Sequence, residues 1–317
     1  MTRLGAMALA ALLLTGCASG AADRRSPTPT PIPTMTTPPR TGCIHVPSRC
    51  GYPDATTAGV VDRARLRRVP QDVTSGTGWT WDSRGWLQVT ADGAVVDNLE
   101  VDGPIEVTHK NVTVRGNVIH AAGETWGVGL RHTTNATVSG NTIGAVGTSP
   151  RLLVGIKDIY GDAAGTAVTA NDIAGTSTAI QIGSGLIRDN YIHDLAMASG
   201  DHVNGITSNG SSQRLEIDHN TVLNSFDQTD AIGLFQDFGL EANRLITGNL
   251  LAGGGYTIYG GDGPFGRTHD IRIVGNRISR LYFPSGGSYG PLAYFDDSGD
   301  GNTWMGNVWD EDGSPVA

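Results

Sequence analysis

Residues 136–144 read ATVSGNTIG, and residues 112–120 read VTVRGNVIH. Both carry one phrase: an apolar residue, two variable positions, Asn, one variable position, an apolar residue. Followed outward, it recurs as Val114–Asn117–Ile119, Val138–Asn141–Ile143, Val168–Asn171–Ile173 and Ile187–Asn190–Ile192. It returns as Ile217–Asn220–Val222, Ile246–Asn249–Leu251, Ile273–Asn276–Ile278 and Trp304–Asn307–Trp309. Val96–Leu99–Val101 is an earlier copy with Leu in the Asn slot. The Asn residues are spaced 24, 30, 19, 30, 29, 27 and 31 apart. A period of this size marks stacked repeat units.

A second short apolar run follows each phrase: Val128–Arg131, Val154–Lys157, Ala179–Ile182, Asn204–Thr207, Ala231–Phe235, Tyr256–Tyr259 and Leu292–Phe295. No helical pattern separates the runs. Short strands stacked in parallel ~4.8 Å apart, without helical crossovers, make an all-β solenoid. The Asn is read as a corner residue that tolerates left-handed backbone and also bonds from rung to rung. The slot before it is mostly Gly, so the corner is tight.

Glycine use agrees with this. The chain has 45 Gly in 317 residues, about twice the usual ~7 %. The Gly follow no three-residue period, which excludes collagen. With 38 % apolar and 17 % charged residues the chain buries a core. Residues 1–16 carry Arg3 and an apolar run, Leu4 to Leu14, too short to span a bilayer, and read as an export signal. A Pro/Thr-rich tether is expected over 17–41. Cys43 and Cys50 are then expected to form a disulfide, since no further metal ligand is obvious nearby. Residues 42–93, with Trp79, Trp81 and Trp86, are expected to cap the N-terminal end, and 94–317 to form the solenoid. A net charge of −9 argues against nucleic acid as a partner. It also disfavours an anionic polysaccharide, unless Ca²⁺ or a local basic patch intervenes.

The phrases VTVRGNVIH, ATVSGNTIG, LEIDHNTVLN and IRIVGNRIS resemble coils of the right-handed parallel β-helix repeat family, the pectate-lyase-like superfamily. The runs GYPDATTAGV, GDHVNGI and LLAGGGYTIYGG resemble a branch of exported bacterial β-helix proteins. Leu14-Thr15-Gly16-Cys17 resembles the lipobox of bacterial lipoproteins. That implies cleavage before Cys17, a lipid on its thiol, and a monomer anchored to the outer face of the cell membrane through the lipid alone. The superfamily implies polysaccharide or cell-surface glycan as partner. It leaves hydrolase, lyase and non-catalytic adhesin open.

Stacking turns equivalent positions into neighbours. The second runs give an outward column of Arg131, Lys157, Gln181, Thr207, a Phe235/Gln236 region, Tyr259 and Tyr294, suited to an extended sugar chain. Aligning Gly205 with Ala231 places Asn204 beside Asp230. His193, Asp201, His202, Asp230, Asp237 and Asp262 are expected on three adjacent rungs. The expected catalytic residues are Asp230 and Asp237, with Asp201 in support and His202 as a base for β-elimination. Arg131, Lys157, Gln181, Asn204, Gln236, Tyr259 and Asp262 are the expected substrate contacts. No cofactor is called for outright; Ca²⁺ would draw on Asp230, Asp237 and Asp262. Similar chains carry Asp at the position of Asn204, and this departure favours the alternative of a glycan-binding module.

Overall fold

The computed structural model describes residues 42–145 and 150–317. The expected signal segment, the tether and lipidated Cys17 lie outside the described residues. Within them the chain is a parallel β-solenoid with almost no helix. Each coil contributes to three sheets, of nine, ten and eleven strands. The strands before each Asn form the first, those after it the second, and the second runs the third. The third is called here the groove sheet; it includes Gly123–Leu130, Leu152–Asp158, Thr176–Gln181, Asn204–Ser208, Asp230–Leu234 and Tyr256–Gly260.

β-Branched residues stack in register inside the coil because their stiff side chains pack well on a pleated surface. Val138 lies between Val114 and Val168 in the first sheet. Ile143 lies between Ile119 and Ile173 in the second. Ile156, Ile180, Ile206, Ile232 and Ile258 line up in the third. All of these are essentially inaccessible to solvent.

The Asn residues form a buried ladder. Asn141 Nδ2 donates to Asn171 Oδ1 (2.9 Å) and to the Val114 carbonyl (3.0 Å), and its backbone N–H donates to the same Asn171 oxygen (3.0 Å). The pattern continues through Asn190, Asn220, Asn249 and Asn276 to Asn307. At the other end the Leu99 N–H closes it on Asn117 Oδ1. The left-handed residue of the corner is the one before Asn: Gly140 (φ 62°), Ala170 (53°), Asp189 (58°) and His219 (56°). The expectation that Asn itself takes this conformation is corrected. Asn is kept at the corner for its amide.

Cys43 and Cys50 are joined, as expected. Their segment does not sit at the N-terminal end. Residues 42–62 run along the outside of the solenoid as a strap. The Ile44 N–H donates to Asp310 Oδ2 (2.9 Å) in the last coil, and Ile44 packs on Leu250 and Ala252. Tyr52 stacks on His219, the Gly59 N–H donates to the Ala170 carbonyl, and the Val60 N–H to Thr142 Oγ1. The strap covers apolar side chains that the second sheet presents outward. The chain then joins the stack at Arg67–Val69, paired with Leu99–Val101. The cap proper is the antiparallel set Ser75–Gly76, Trp79–Asp82 and Trp86–Val89, laid on Ile105–Val107.

Candidate functional site

A groove of about 750 Å³ lies on the outer face of the groove sheet. Two columns line it. One is Lys157, Gln181, Thr207 and Tyr259, with Gly233 in register between the last two. The other, three residues earlier on each rung, is Val154, Thr178 and Asn204, with Asp230 next in register. A strand alternating strictly would give one column at a spacing of two. The small residues Gly155, Ala179, Gly205 and Ala231 between the columns permit the second. A Cβ at Gly205 would meet Val222 and the Ala231 carbonyl.

Asp230 has no exposed surface and is not itself part of the groove lining; it lies beneath it, on the groove side of the sheet. A Cβ on Gly233 would collide with Asp230 Oδ2 and with Phe235, so carboxyl and ring share the space above that glycine. Neither carboxyl oxygen has a hydrogen-bond partner among the described residues. Burial pushes the Asp230 carboxyl well above the usual carboxylate range; the nearby Gly205 N–H opposes this but falls short of hydrogen-bond geometry. Burial foremost also raises the Tyr259 phenol. Tyr259 stacks with Tyr294 (5.6 Å between centroids) and touches Phe235 and Tyr256; Tyr256 meets Tyr289. The result is an aromatic platform at one end of the groove.

Asp201 lines the groove, but its carboxylate is fully engaged. Arg151 grips it with two bonds (2.5 and 2.6 Å), and Ser177 Oγ and the Ala198 N–H also donate to it. Arg151 foremost holds it far below the ordinary carboxylate range. This carboxylate pins the 195–203 loop against the groove wall. His202, Asp227 and Asp237 line the groove and are exposed.

Three expected contacts lie elsewhere. Arg131 is two residues past the column, where Gly129 pairs with Lys157. It bonds Glu106 (2.7 Å) and covers the Trp126 ring, in a separate hollow of about 440 Å³. Gln236 turns away: its Nε2 donates to the Gly261 and Gly266 carbonyls, and its Oε1 accepts from the Phe265 N–H. Asp262 is exposed on the loop that Gln236 holds. His193 is on another face, between Asp172 (2.8 Å) and Asp194 (2.7 Å) and stacked on Tyr191. No cluster of three or more His, Cys, Asp or Glu among the described residues is arranged to hold a metal, and the donor set expected for Ca²⁺ is not gathered. The register of groove residues missed from sequence, Val154 and Thr178, was marked by the small residue that follows each.

No protein-family model matches this chain, and no curated protein matches it.

Proposed function

We propose that this protein is a glycoside hydrolase of the pectate-lyase-like type, exported and lipid-anchored as a monomer, that cleaves a neutral polysaccharide in the groove. The observation that carries this is Asp230: a fully buried carboxyl, pushed well above the usual carboxylate range by desolvation, beneath a groove with an aromatic platform. A neutral acid can protonate a leaving oxygen. In the proposed step the Asp230 proton passes to the glycosidic oxygen as its bond to the anomeric carbon breaks. A water oxygen bonds to that carbon, and Asp237, an exposed carboxylate in the same groove, takes the proton from the water. The Phe235 ring must turn aside for the sugar to reach Asp230. Lys157 is the one Lys or Arg lining the groove among the described residues, which favours a neutral glycan over a uronate. β-Elimination would need a cation against the uronate carboxylate, and Arg131 is not there to help.

A second reading, a non-catalytic glycan-binding module, is favoured by the absence of exposed surface on Asp230. The test is release of new reducing ends and of unsaturated uronates from a panel of neutral and uronic polysaccharides. Hydrolysis of a neutral member is expected, with Asp230→Asn reducing its rate by about 10²–10⁴-fold. Unsaturated products would overturn it in favour of a lyase. Glycan binding without any cleavage would establish the second reading.

A further inference from the structure

Asn204 and Asp230 are register partners on adjacent rungs, and both side chains lie on the groove side of the sheet. The Asn204 amide has a fixed sense. Its Nδ2 donates back to Thr178 Oγ1 on the preceding rung (3.1 Å) and to the His202 carbonyl (3.2 Å). Turning the amide over would set Oδ1 against that carbonyl, two acceptors with no proton between them. Oδ1 is then the branch of the amide away from these two bonds, and the register partner on the following rung is Asp230. Asn204 Oδ1 is buried and unpartnered among the described residues, as are both Asp230 oxygens. Buried polar groups are nearly always paired. Neighbouring acceptors ~4.8 Å apart at the backbone repel if Asp230 is ionised and complement each other if it carries a proton.

The surroundings agree. Tyr256 and Tyr259 lie on the next rung, and the Gly205 N–H is the one group found to offset the burial of the carboxyl among the described residues. Lys157 is three rungs away in the register, roughly 14 Å at the strand spacing. Arg151 is committed to Asp201. Asp227 and Asp237 line the same groove and are exposed.

We propose that Asp230 is a neutral carboxylic acid whose O–H donates to Asn204 Oδ1, which makes Asn204 the positioning residue of the acid. The amide keeps the proton beneath the groove and fixes which oxygen carries it. Its use in catalysis rests on the hydrolase reading; the pair itself requires no substrate.

Infrared difference spectra of the intact protein at neutral pH test the pair directly. Wild type is expected to show the C=O band of a buried, hydrogen-bonded carboxylic acid that is missing from Asp230→Asn. In Asn204→Leu the band is expected to move to higher frequency, as for an acid without an acceptor. No acid band lost in Asp230→Asn, or a band unmoved in Asn204→Leu, would overturn the pairing. If the Leu variant does not fold, Asn204→Asp serves instead. Two facing carboxyls are expected to titrate in two coupled steps, and a second step indistinguishable from that of an isolated carboxyl would overturn the pairing. Because no glycan is present, the outcome is independent of whether the protein cleaves one.

Discussion

Asp201 and Asp230 lie within two neighbouring rungs and meet opposite fates. Arg151 holds Asp201 below the ordinary carboxylate range, so its contribution to stability is present above an unfolded value near pH ~4 and fades as pH falls further. Asp230 is raised, so the folded state binds more protons than the unfolded one between pH ~4 and its own higher value. Through that window stability declines as pH rises. Asp230→Asn removes the penalty, and its amide can donate to Asn204 Oδ1 as the ladder amides donate to one another. The variant is expected to melt about 2–4 °C above wild type at neutral pH, the gain of ~1 kcal/mol. Thermal unfolding across a pH series should show the gain vanish below pH ~4. A variant that melts lower at neutral pH would show that the carboxyl is favourably bound in place.

Elements repeat here, and repetition made most of them legible. The spacing of Asn117 to Asn307 located every corner because each coil reuses one amide ladder. The reason for the Asn was less legible, since φ at the preceding residue leaves no mark when that residue is Gly, Ala, Asp or His. Asn171 accepts two bonds from Asn141 and gives one each to Asn190 and Val138, all buried. Asn171→Ala strands two buried donors, and a loss on the order of 3 kcal/mol is expected in urea unfolding. A loss under ~1 kcal/mol would mean the ladder contributes little. In the groove, Asn204 beside Asp230 could be read because both follow the period. Arg131, Gln236 and Asp262 could not, because they sit where the chain leaves the strand and each turn is set by its own local bonds.

Over the described residues, the groove sheet is one of three sheets to which each coil contributes, and an external strap runs along the outside of the stack. The strap joins the last coil at Asp310 to a middle one at Thr142, a connection that no local pattern announces. The groove is a property of the stack, since its two columns take one residue each from successive coils. On the proposed hydrolase reading, catalysis by Asp230 depends on a proton kept by burial across several rungs. The most direct measurement of the proposed reading is the pH dependence of kcat/KM on a neutral glycan, one that the polysaccharide panel is expected to identify as a substrate. If Asp230 is the acid, the rate falls on an alkaline limb set well above the ordinary carboxylate range, and Asp230→Asn abolishes that limb together with most of the activity. An alkaline limb that persists unchanged in Asp230→Asn would contradict it.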